Sequence, residues 1–177
     1  MLRKIGLALL GLTLCFGAHA AIQPGDAAPE ALGTDTHGDA LKLPALRGKV
    51  VVLSFWATWC GYCMKEMPVL ASLQNVADGK HLPLQVVLIN DQEDHDVFRH
   101  TSRVLHKQAP GVLATWDRDG DIGKPYGTAG GIPVMVMLRR DGTVAHIHVG
   151  YGEDMLDTLL AEINALLHEP TGSAGGY

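Results

Sequence analysis

A three-layer α/β fold built on a mixed β-sheet is predicted by three observations. Residues 50–55 (Val-Val-Val-Leu-Ser-Phe) and 84–89 are apolar, β-branched runs of the kind found in strands buried on both faces. Each is followed by a helical pattern, the alternation that generates parallel strands with crossover helices. Residues 134–138 and 144–149 are apolar runs separated by Arg140-Asp141-Gly142, whose Asp-Gly step signals a hairpin and makes them antiparallel neighbours.

In chain order, residues 22–48 are rich in Gly, Pro, Asp and Thr and read as an extended lead-in with a small hairpin around Thr36-His37-Gly38-Asp39. Residues 60–77 form a helix, with Met64, Met67, Leu70, Ala71 and Leu73 at helical spacing and Asp78-Gly79 as its stop. After the strand at 84–89, residues 94–108 form an amphipathic helix with Val97, Val104 and Leu105 facing in, closed by Pro110-Gly111. Residues 112–116 make a short strand, and 117–131 are loop-rich with one helical turn at 122–126. Beyond the hairpin, 153–168 is an amphipathic helix carrying Met155, Leu156, Leu159, Leu160, Ile163 and Leu167, and 169–177 is a Gly-rich mobile tail.

The 177 residues leave room for one domain, placed at 22–168, and 47% apolar against 19% charged residues supply a full core. Net charge is -5 and no basic run exceeds Arg139-Arg140, which excludes a nucleic-acid partner. At the N-terminus, Leu2-Arg3-Lys4, an uncharged apolar stretch from Ile5 to Phe16 and Ala18-His19-Ala20 read as a cleavable signal peptide over residues 1–20, and the protein is expected in the periplasm. The apolar stretch is shorter than the ~18–20 residues a spanning helix needs, which makes an uncleaved anchor the lesser alternative. Cys15 follows Leu14, not the small residue of a lipoprotein site, and leaves with the signal. Cleavage removes two basic residues and no acid. It also leaves Cys60 and Cys63 as the whole thiol content.

Cys60-Gly61-Tyr62-Cys63 lies where a buried strand runs into a helix. Both sulfurs then fall on one side, and the unsatisfied N–H groups of that helix end favour a thiolate at Cys60. Cys60 is the expected nucleophile and Cys63, less exposed, the resolving thiol. A zinc site lacks a second ligand pair of suitable spacing. A structural bridge over so short a loop is a poor staple.

Residues 55–68, Phe-Trp-Ala-Thr-Trp-Cys-Gly-Tyr-Cys-Met-Lys-Glu-Met-Pro, resemble the active-site segment of thioredoxin-fold proteins, and specifically of the TlpA-like (ResA-like) thiol-disulfide oxidoreductases. Tyr126-Gly127, Gly131-Ile132-Pro133, Asp141-Gly142 and His148-Val149-Gly150 follow in that family's order, so the similarity covers about residues 23–167. The resemblance implies a thioredoxin fold with an N-terminal extension, and a cis Pro133 facing the dithiol with the Ile132 backbone pairing to a substrate strand. Trp59, Gly61 and Tyr62 complete the candidate substrate-binding set. Pro68 falls inside the first helix, as a proline does in the family. Glu66, three residues after Cys63, shares its helical face and is either a proton carrier for the thiols, as the resemblance implies, or a solvated acid paired with a lysine. Ser54 stands where cytosolic thioredoxins carry a buried Asp, and cannot take a proton as a carboxylate does.

The resemblance further implies a reductant of other exported Cys-containing proteins, of the cytochrome c maturation type, fed by a membrane thiol reductase and acting as a monomer. It implies no cofactor beyond the Cys60-Cys63 disulfide and no metal. Gly61-Tyr62 also occurs in periplasmic isomerases, so an oxidant or isomerase is the alternative. A peroxiredoxin is disfavoured because Ala57 stands where its Thr belongs. A copper-binding protein is the remaining rival, with His146 and His148 alternating on one strand and Met135 and Met137 on another. The methionines are expected in the core and the histidines in solvent.

Overall fold

The computed structural model describes residues 21–170. The expected signal peptide, residues 1–20, and the tail beyond residue 170 lie outside the described residues. Seven strands, β1 (Ala31–Thr34), β2 (Ala40–Lys42), β3 (Val50–Trp56), β4 (Leu84–Asp91), β5 (Leu113–Asp117), β6 (Val134–Leu138) and β7 (Val144–Val149), make one sheet in the order β2-β1-β5-β4-β3-β6-β7. β3, β4 and β5 are parallel, and β6, β7, β1 and β2 are joined antiparallel to them and to each other. The helices are α1 (Gly61–Gly79), α2 (His95–Gln108) and α3 (Leu156–His168).

Period-2 alternation along β3 divides the core. Val50, Val52 and Trp56 face α1 and α3, packing with Met67, Leu70, Met135, Leu159 and Ile163. Val51, Leu53 and Phe55 face the opposite layer, where Leu32, Leu43, Leu46 and Tyr126 cover Val87, Ile89 and Val136. Phe55 is fully buried, with its ring centroid 5.6 Å from that of Tyr126. Phe55→Ala is expected to cost about 3–5 kcal/mol. In a urea titration the midpoint should fall at unchanged slope; a loss below about 1 kcal/mol would show that this layer can collapse onto the gap.

The predicted lead-in docks on the sheet through Gly25 N to Val144 O (2.8 Å) and Val144 N to Asp26 O (2.8 Å). Its hairpin turn is held by Asp35 Oδ1, which accepts from the N–H groups of His37 and Asp39.

Three expectations are corrected. Val97 and Val104 are exposed, and α2 instead buries Phe98, Ser102 and Leu105. The stripe is turned by one residue because the larger Phe98 ring stacks on Trp116, centroids 6.5 Å apart, and takes the inward position. The segment 117–131 holds two short 3-10 turns, Lys124–Tyr126 and Thr128–Gly130, where one turn was expected. The last helix also begins later than expected, with a 3-10 turn, Glu153–Met155, ahead of α3.

Parallel β3 and β4 pair Trp56 with Asn90, so the chain leaves both strands side by side at their C-terminal ends. Open parallel sheets place ligands beyond those ends. Here that is where the dithiol sits.

Candidate active site

β3 is buried along its whole length and delivers residues 57–59 to the start of α1. Cys60 is the N-cap of that helix: its backbone is extended and its Sγ accepts the Cys63 N–H at 3.1 Å. A sulfur held there sees a free helix N–H and the positive end of the helix dipole, the two influences that stabilise a thiolate. Cys60 and Cys63 are joined in a disulfide, with Cα atoms 5.2 Å apart. Cys60 is 6% and Cys63 2% exposed, the order expected for an attacking and a resolving sulfur. Across from them the Ile132–Pro133 peptide is cis, and the Ile132 carbonyl oxygen lies 3.5 Å from Cys60 Sγ.

Around the dithiol the surface is apolar and unpaired. Trp59 is 71% and Tyr62 62% exposed, Met64 also faces solvent, and Lys65 Nζ lies 5.8 Å from the Tyr62 ring centroid. Gly61, the first residue of α1, has open space where a side chain would stand. Trp59, Gly61 and Tyr62 thus flank Cys60 along the chain, and Ile132, ahead of buried Pro133, is the residue whose carbonyl oxygen lies beside its sulfur.

For Glu66 the geometry removes the solvated, lysine-paired reading. Glu66 is buried, does not pair with a lysine, and accepts a 2.6 Å hydrogen bond from Ser54 Oγ, while its other oxygen has no partner. Burial pushes its carboxyl up to about 7, against the opposing pulls of the Ser54 hydrogen bond and the charge of His148. Helix α1 thus brings a carboxylate onto the strand position where Ser54 had left none.

His148 and His146 were expected in solvent; the structure corrects this for His148 and leaves His146 half-exposed. β7 lies beside β6 with His148 opposite Met135 and His146 opposite Met137, on the face that α3 covers. Glu162 of α3 meets both rings, at 2.7 Å from His148 Nε2 and 3.4 Å from His146 Nδ1, and His148 is only 18% exposed. Met135 and Met137 are in the core as expected. Among the described residues no group of three or more His, Cys, Asp or Glu is arranged to hold a metal ion.

Sequence reasoning missed Glu93. Its carboxylate accepts from Thr58 N (2.8 Å), Thr58 Oγ1 (2.5 Å) and Asn90 Nδ2 (2.6 Å), directly behind the loop that carries Trp59. A polar residue just after an apolar strand was the only signal, and the neighbouring N-cap, Asp94, gives the same one.

A family model described as Redoxin matches residues 23–163. The chain belongs to the redoxin family. This redoxin is 31% identical over 144 residues to the thiol-disulfide oxidoreductase ResA of Bacillus thuringiensis (strain Al Hakam), covering 80% of each chain. It is 28% identical over 144 residues to ResA of Bacillus subtilis (strain 168), covering 80% of this chain and 77% of that one. Among solved structures, a Chlorobium tepidum protein assigned as the thiol:disulfide interchange protein DsbE superposes with a TM-score of 0.68 at 30% identity, covering 82% of this chain and 99% of its own. A Bacteroides thetaiotaomicron protein assigned as a disulfide isomerase gives 0.69 at 27%, covering 84% and 92%. The fold of this redoxin is thioredoxin-like, and the protein is a ResA-like thiol-disulfide oxidoreductase.

Proposed function

We propose that this redoxin is exported and reduces disulfides of other exported proteins, in the manner of cytochrome c maturation. Electrons would be returned to it by a membrane thiol reductase. The observation that carries the reading is the Cys60 sulfur at the helix N-cap with the Ile132 carbonyl oxygen 3.5 Å away, a nucleophile beside an exposed strand end that an extended substrate can pair with. Export is supported by the signal-like residues 1–20. Among the described residues no helix is long and apolar enough to cross a membrane.

In the reduced protein Cys60 thiolate attacks one sulfur of the substrate disulfide, and the other leaves as a thiolate. Ile132 and Pro133 hold the substrate strand, while Trp59, Gly61 and Tyr62 form the surface it lies on. Glu66 then takes the Cys63 proton, and Cys63 attacks Cys60 Sγ. The second substrate thiolate is released and the Cys60–Cys63 disulfide forms. No cofactor beyond this disulfide takes part, and the protein works as a monomer.

Equilibrating residues 21–177 in graded glutathione or dithiothreitol buffers tests the direction. A midpoint near about -270 mV is expected of a reductant with a dedicated donor. One between about -180 and -120 mV would make the protein an oxidant or isomerase, the reading that Gly61-Tyr62 favours.

A further inference from the structure

Resting on the disulfide-exchange reading, we propose that Glu93 is a positioning residue of the reaction, whose carboxylate clamps the loop at residues 57–59 and so fixes the angle at which Trp59 and Cys60 meet a partner. Three donors converge on that one carboxylate. Two belong to Thr58, its N–H and its hydroxyl, so the carboxylate grips both the backbone and the side chain of the residue before Trp59. The third is Asn90 Nδ2, which donates to the same oxygen, Oε2, that takes the Thr58 N–H. Asn90 is fully buried and the Oδ1 of its side-chain amide has no partner, so the hydrogen bond its side chain makes is the one that orients Glu93.

The backbone is arranged to the same end. Gln92, between β4 and Glu93, has φ 58, a left-handed conformation uncommon outside glycine, and its N–H is held by Asp117 O at 3.0 Å. Trp116 Nε1 donates to the Glu93 carbonyl oxygen at 2.9 Å. Glu93 is therefore fixed at its backbone and at both carboxylate oxygens, and the part it restrains is exposed Thr58-Trp59. Cys60 follows directly, with its N–H on Ala57 O at 3.1 Å. Neither helix nor sheet hydrogen bonds hold Thr58 and Trp59; the turn bond between Cys60 N–H and Ala57 O closes the loop, and Glu93 is the side chain that ties it to the rest of the protein.

The clamp acts on docking, and its signature separates KM from kcat. With insulin as the protein disulfide and dithiothreitol as the electron source, Glu93→Ala is expected to raise KM about tenfold at a kcat within about twofold of wild type. Thr58→Val should act in the same direction, and the double variant should be no worse than Glu93→Ala alone. The Thr58 amide should exchange with solvent about tenfold faster in Glu93→Ala. Unchanged KM in variants whose circular dichroism shows them folded, or independent effects that multiply in the double variant, would overturn the proposal. If the wild type itself fails to reduce insulin, the exchange reading is what fails. The Thr58 amide then still decides on the clamp, since unchanged exchange in Glu93→Ala disproves it.

Discussion

Cys60→Ser is expected to lose at least about 10³-fold in disulfide exchange, and Cys63→Ser to stall with substrate attached. The difference follows from where each sulfur sits. Cys60 is at the N-cap, and its sulfur is the one that faces Ile132 O. Its replacement by a hydroxyl removes the more accessible of the two sulfurs, the one expected to attack a partner. Cys63 lies deeper on α1. Without it Cys60 still attacks, but nothing displaces the partner, and a mixed disulfide accumulates that mass spectrometry reads as one covalent adduct per chain. Adducts on Cys63 in Cys60→Ser at the wild-type rate would reverse the two roles.

Glu66→Gln is expected to make the protein more stable and slower. In the unfolded chain this carboxyl titrates near 4.5, and in the folded protein at about 7. Between those values the folded state keeps a proton the unfolded state has released, so stability is full below about 4.5 and falls as pH rises to about 7. At pH 8 the buried charge costs about 3 kcal/mol at most, from the size of that shift. Glutamine retains an acceptor for Ser54 Oγ and carries no charge. The variant should therefore match wild type at pH 4 and exceed it at pH 8 by up to that amount, which urea unfolding at the two pH values measures. In single turnover its resolving step should be slower by about 10²-fold and lose the inflection near pH 7. Equal stability differences at both pH values would mean that Glu66 does not titrate as its surroundings dictate.

Most of the sheet was legible because apolar runs bounded by helices and an Asp-Gly turn are local signals. Residues 50–55, 84–89, 134–138 and 144–149 all became strands with the expected neighbours. Cys60 and Cys63 were legible for a related reason, since a Cys pair at a helix start is a local signal; that Glu66 follows on their face was also legible, but its burial against Ser54 was not. The inward stripe of α2 was not, because Val97 and Phe98 both lie on apolar arcs and only packing against Trp116, from another strand, selects between them. Glu93 depends on Thr58, 35 residues earlier. The pairing of His148 with Glu162 depends on how α3 crosses β7. Contacts of that kind are properties of topology, and no spacing in the chain announces them.

With Cys60 6% and Cys63 2% exposed, the pair offers freely diffusing small thiols and oxidants little surface, and their exchange with it is slow even where it comes to equilibrium. A protein that lays a strand along Ile132 and Pro133 arrives already aligned with that sulfur. Exchange then depends on recognition as well as on potential. On the proposed reading the pair is an insulated contact, slow to settle with the small molecules around it and quick once the right terminal closes the circuit.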